Sequence, residues 1–182
     1  LPKEYALNPA PQLPEEKAAV KGQIVWTLYG PDNQIKDSGV VDNLVTRVGD
    51  QMYGERGAGI AGAVAAPTGI KLGTGSTAAS KTGAGAALVT YLTDSHQGFD
   101  SGYPASSLSG SARRITYQVT YAPNKATSAA PITEVALVNN TLTDATSAEA
   151  DTVARAILSP SITAKSAGDT LVVVWTHDLQ GS

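Results

Sequence analysis

The chain has 182 residues, 42% of them hydrophobic, with a formal net charge of −3 and a pI near 5.3. That length suits one domain with its own core, at about 100 to 200 residues per domain, and the acidic balance argues against nucleic acid as a partner, because phosphate binding needs clustered Lys and Arg to displace counterions. The absence of cysteine excludes disulfides and thiolate metal sites, and no apolar run approaches the roughly 18 residues of a membrane span, so a soluble chain without membrane contact is expected.

Residues 1–22 form the first segment. Pro2, Pro9, Pro11 and Pro14 each fix φ and withhold a backbone donor, so no sheet interior accommodates them. Tyr5, Leu7 and Leu13 follow neither the helical nor the strand period, and the apolar core of a secretion signal is missing. The composition predicts an extended arm of polyproline type, with Leu1 to Pro14 reaching roughly 40 Å at about 3.1 Å per residue. Two fates are open to it. One is a loose terminus; the other is a protein-binding arm, in which Leu1, Pro2, Tyr5, Leu7, Pro9, Pro11, Leu13 and Pro14 order on a neighbouring subunit at reduced entropic cost.

Residues 23–182 carry the strand pattern. Ile24, Trp26 and Leu28 share one face and Val25, Thr27 and Tyr29 the other, and Gly30-Pro31-Asp32-Asn33 supplies a turn. Gln34 to Val45 returns as a second strand, with Gly39 as a bulge or kink. Leu44, Val48 and Met52 recur at helical spacing, which predicts one short helix over Thr46 to Tyr53 with Gly54 as its C-cap. Further strands are expected at Ile70 to Leu72, Leu88 to Leu92, Arg114 to Tyr121, Ile132 to Val138, Thr152 to Leu158 and Leu171 to His177. His96 to Gly110, rich in Gly and Ser, is expected to be a long surface loop. In the last strand Leu171, Val173 and Trp175 point to the core, while Val172 and Val174 give the other face an apolar character of its own. Short strands, one short helix and frequent turns describe a mainly β protein, an antiparallel β-sandwich or jelly roll.

No catalytic set assembles from the motifs. Gly73-Thr74-Gly75-Ser76-Thr77-Ala78 fits the dinucleotide-binding pattern, with Asp94 near the position of a ribose-binding acid. That chemistry needs a helix starting at the turn to face the pyrophosphate, and Ala78 to Ala87 has no apolar stripe to build one. The turn is therefore expected to be structural, with no cofactor. Lys81-Thr82-Gly83 matches one element of serine β-lactam enzymes, but the S-x-x-K nucleophile motif is missing. His96 and His177 fit no metal-ligand spacing, and His177-Asp178 is expected to be the solvated polar end of a strand. Glu134, out of phase with Val135 and Leu137, is expected to point outward and pair with Arg113, Arg114 or Arg155 as a surface bridge. Trp26 and Trp175 are expected to anchor the core. No catalytic residue, metal or small-molecule substrate is expected.

Four blocks in fixed order carry a resemblance: Val41 to Asp50, containing Asn43-Leu44-Val45 and Gly49; Gly69 to Thr77, containing Leu72-Gly73-Thr74-Gly75-Ser76-Thr77; Ile132-Thr133-Glu134-Val135-Ala136-Leu137; and Ala167 to Thr176, containing Asp169-Thr170-Leu171 and Trp175. Their order resembles a group of tailed-bacteriophage virion proteins, in which N-L-V-x-x-x-G, L-G-T-G-x-T, I-T-E-x-x-L and D-T-L-x-V-x-W segments follow one another. The likeness spans roughly Val41 to Thr176, and it departs from the group where Val135-Ala136 stands in place of Ala-Gly. The resemblance implies a structural, non-enzymatic virion protein on the outer capsid surface: a capsid decoration or cement protein, homotrimeric, with the major capsid protein as partner. The alternative it leaves open is a tail-fibre or receptor-binding module that contacts the host through the His96 to Gly110 loop.

Overall fold

The computed structural model describes residues 19–180. The arm residues Leu1 to Pro14 lie outside them. Strand structure begins at Ala19, four residues ahead of the boundary the sequence suggests: β1 spans Ala19–Tyr29 and pairs along its whole length with the last strand, β10, at Thr170–Gln180. The strands between are β2 (Ile35–Asp42), β3 (Leu44–Val45), β4 (Gly69–Gly73), β5 (Gln97–Gly98), β6 (Ala105–Ser109), β7 (Ala112–Tyr121), β8 (Ile132–Val138) and β9 (Thr152–Ile162), with one helix, α1, at Arg47–Gly57.

They form two antiparallel sheets of five strands, ordered β2-β1-β10-β7-β6 and β3-β9-β8-β4-β5. This is the β-sandwich that the strand spacing predicts. The core lies between the sheets, where alternate residues of the first (Ile24, Trp26, Leu28, Val119, Tyr121, Leu171, Val173, Trp175) meet those of the second (Ile70, Leu72, Val135, Leu137, Ala154, Ala156). Both tryptophans are fully buried, as expected.

The second sheet is hidden on its other face as well. Residues 74–96 and 139–151 cross it, so every residue of β4 and nearly every residue of β8 is buried. Leu88 packs on Ala136 and Val138 there, and the Leu88 amide donates to the Ser147 carbonyl at 3.0 Å, tying the two covering segments together.

Several local expectations change. Gly39 is neither a bulge nor a kink: it sits in register opposite Trp26, and the irregularity falls at Leu28/Tyr29. A Cβ at Gly39 would lie 2.6 Å from the Trp26 ring, so the glycine makes room for the indole. Helix α1 runs a turn past Tyr53, and Gly54 is inside it. Its last turn is held by Glu55, which accepts from the Val64 amide at 3.0 Å, and by Arg56, which donates to the Val64 carbonyl at 2.8 Å. Leu88 to Leu92 is not a strand but makes a single bridge, Gly73 to Tyr91, because the Val89 and Thr90 amides are engaged by a side chain described below. The His96 to Gly110 segment contains β5 and β6, and β9 continues past Leu158 through Pro160 to Ile162.

Candidate functional site

The Gly-rich turn after β4 is wrapped around a carboxylate of the protein itself. Glu134 on β8 is fully buried, as is its partner Arg155 on the neighbouring β9, with 2.6 Å between Nη2 and Oε2. Glu134 Oε1 accepts from the Gly75 amide at 3.0 Å and the Thr90 amide at 2.6 Å, and Oε2 from the Val89 amide at 3.1 Å. Arg155 Nη1 donates to the carbonyls of Thr77 at 2.7 Å and Gly85 at 3.2 Å. Thr133 completes the clasp by donating its hydroxyl to the Gly75 carbonyl at 2.8 Å. A Cβ at Gly75 would lie 2.4 Å from Glu134 Oε1, and one at Gly73 would lie 2.6 Å from it. The glycines are there to let the backbone approach an anion, and the anion is Glu134. After the turn the chain forms only a short 3₁₀ turn at Gly83–Ala86.

This corrects the expectation of a surface bridge. Glu134 does point away from the core, as its phase requires, but that face of the sheet is covered. The signal was available in the sequence: Ile132-Thr133-Glu134-Val135-Ala136-Leu137-Val138 is apolar in both phases, the mark of a strand buried on both sides.

His177 is a second correction. It is fully buried rather than a solvated strand end, because it continues the inward phase of Leu171, Val173 and Trp175 while β10 runs on to Gln180. Its Nε2 lies 3.0 Å from Trp175 Nε1, and 2.9 Å from Asn43 Nδ2. An indole N–H only donates, so Nε2 must accept, and the proton resides on Nδ1, 2.6 Å from the Tyr53 hydroxyl. Tyr53 in turn lies 3.2 Å from the Tyr117 hydroxyl. The network joins α1, the Asn43 turn, β7 and β10. Burial pushes the His177 pKa down to about 4, against an opposing pull from Asp178, so the ring is neutral at pH 7. Burial, then the neighbouring Tyr117, raises the Tyr53 pKa. Just outside, Arg114 grips Asp178 in a two-pronged pair at 2.7 Å per bond, which holds the Asp178 carboxyl below its ordinary range.

His96 belongs to a third cluster and, among the described residues, shares no hydrogen-bond partner with His177. Asp144 Oδ1 accepts from the Tyr91 hydroxyl at 2.8 Å and the Asp94 amide at 2.6 Å, and lies 3.6 Å from His96 Nδ1. Burial, followed by the bond to Asp144, pushes the Tyr91 pKa up to about 12. Lys71 reaches over the Tyr91 ring, 5.6 Å from its centroid, and donates to the Ala145 carbonyl at 2.8 Å. These contacts lash the two segments that cover the second sheet. Among the described residues, no group of three or more His, Cys, Asp or Glu is arranged to hold a metal ion.

No family model, curated protein or solved structure matches this chain. Its function must be read from its own geometry. The described residues begin at one corner of the first sheet. There Ala19, Val20 and Lys21 pair with β10 on one side only, since β2 stops at Asp42, opposite Gln23. A recess of about 260 Å³ lies beside them, lined by Lys21, Gln23, Asp42, Arg114, Thr176 and Asp178.

Proposed function

We propose that this chain is a structural protein of a tailed-bacteriophage particle, a homotrimeric decoration protein that binds the major capsid protein on the outside of the head. One observation supports this reading above others: two of the four sequence blocks that carry the resemblance close on each other inside the fold, and a third forms the middle strand of a sheet. The L-G-T-G-x-T turn and the I-T-E strand are one unit, joined by the Glu134 carboxylate on the Gly75 amide, and the D-T-L-x-V-x-W strand is the centre of the first sheet. Residues used in this way specify a scaffold rather than a reaction. Glu134, Arg155 and His177, which would draw notice as catalytic groups, are fully buried and committed to internal bonds.

A decoration protein works by spanning subunit junctions and bracing them against the pressure of packaged DNA. Several modest contacts linked in one oligomer raise the effective concentration of each, and an extended arm widens the footprint without enlarging the core. The purified chain, added to heads that lack it, should coat the shell and raise the temperature at which heads rupture. Failure to bind heads, or binding confined to tails, would contradict the proposal, and the second outcome would favour the receptor-binding alternative. Deleting Leu1 to Ala18 leaves β1 intact and should weaken head binding. Undiminished affinity would remove the arm from the mechanism.

A further inference from the structure

The two sheets end in four edge strands, and an edge strand offers its spare amides and carbonyls to any other strand unless it is short, charged or covered. Three of the four are blunted in this way. Strands β3 and β5 are two residues long. Strand β2 carries Lys36, Asp37 and Asp42, and its Asp37 carboxylate reaches across to accept the Thr163 amide at 2.9 Å. Strand β6 is the exception. Ala105-Ser106-Ser107-Leu108-Ser109 contains no charge, no proline and no break in register against β7. Four of its five residues are exposed, and on its other side it meets no strand among the described residues. Leu108 stands opposite Arg113, in phase with Ser106 and Ile115 on the core side of the sheet, and is 72% exposed.

The chain holds a segment of the right kind to pair with this edge. Lys3-Glu4-Tyr5-Ala6-Leu7-Asn8 is the longest proline-free stretch ahead of Ala19. The prolines around it bar the rest of the arm from a ladder, because each lacks the donor. In an extended chain Tyr5 and Leu7 fall on one side, two residues apart, as Ser106 and Leu108 do, so laid along β6 they would cover Leu108. The reach also suits. Val20, Leu179, Arg113 and Leu108 stand in one cross-strand row, so β1 begins at the level of the sheet where β6 ends. The line outside β6 is four strand spacings from β1, about 19 Å at about 4.8 Å each. Residues 9–18 span about 31 Å at the rise of an extended Pro-rich chain, which covers that distance with slack.

We infer that Lys3 to Asn8 pair with the free edge of β6 in the same chain, as a sixth strand of the first sheet. The chain enters β1 from the end where β6 finishes, so the added strand runs parallel to β6. A second copy offers the same backbone groups, but a segment on so short a tether has an effective concentration of about millimolar, above that of a separate partner in ordinary solution. The inference goes beyond the proposed function and does not rest on it.

The test is hydrogen exchange of the full chain, read by mass spectrometry on peptides covering β6 and residues 3–8. Both should be protected, and deleting Leu1 to Asn8 should speed exchange over Ser106 to Ser109 by about tenfold or more, with β1 and β10 still protected. Exchange in β6 that ignores the deletion overturns the inference. The absence of native cysteine permits a second measurement with a short bis-maleimide. Leu7→Cys should be linked to Leu108→Cys within one chain, and far less to Val40→Cys, which is 50% exposed on β2 and about as distant from Ala19, roughly 20 Å by strand geometry. Equal linking to both positions, links only between chains, or none at all overturns it. A chain with unprotected β6 that still coats heads would defeat this inference and leave the proposed function standing, while a protected β6 in a chain that ignores heads would do the reverse.

Discussion

Glu134 and Arg155 show how much one buried pair can hold. Together they engage the amides of Gly75, Val89 and Thr90 and the carbonyls of Thr77 and Gly85, so removing either strands a charge and frees the covering segment. Breaking a buried pair from one side costs about 3 to 5 kcal/mol, and Arg155→Ala or Glu134→Ala should lower unfolding stability by that much in chemical denaturation. A loss below 1 kcal/mol, the range of an exposed bridge, would contradict the buried assignment. His177 makes a separate prediction in pH. Its unfolded pKa is near 6.5 and its folded pKa about 4, so between those values the unfolded chain binds more protons and stability rises with pH. The His177 contribution is full above pH 6.5 and lost as pH falls toward 4, roughly 3 kcal/mol at most. A melting-temperature profile should therefore slope more steeply over that window in the wild type than in His177→Gln; parallel profiles would contradict a buried neutral ring.

At the level of elements, the strands whose alternation separates a dry face from a wet one were legible in the sequence. Ile115, Tyr117, Val119 and Tyr121 point inward on β7 as their period requires. What alternation does not reveal is whether the other face is wet. That depends on the covering segments, which are built of Gly, Ala, Ser and Thr and carry no period. The same gap hid the nature of Leu88 to Leu92, whose apolar residues suggest a strand while its amides go to a carboxylate 44 residues away, at Thr90 and Glu134. Strand β6, with Leu108 as its one large apolar residue among serines, gave no pattern to read. The Gly-rich turn was legible as a tight structural turn; that its glycines make room for the Glu134 carboxylate was not. Its glycines are testable: Gly75→Ala places a Cβ 2.4 Å from Glu134 Oε1 and should destabilise the fold by about 1 to 3 kcal/mol, while Ser76→Ala, exposed in the same turn, should be near neutral. Equal effects would mean that the close approach to Glu134 is not what demands glycine.

At the scale of the whole molecule, the sandwich divides its labour. One sheet is sealed on both sides by the chain's own covering segments and internal ion pair; the other has no such cover on its outer face among the described residues. That asymmetry suits a protein whose work is contact. The central claim, a decoration role on the phage head, is tested most directly by imaging the particle with this chain located on it. Density for the sandwich should repeat over the outer surface of the head, seated at the junctions between capsid subunits. Density confined to the tail, or none on the particle, would contradict it.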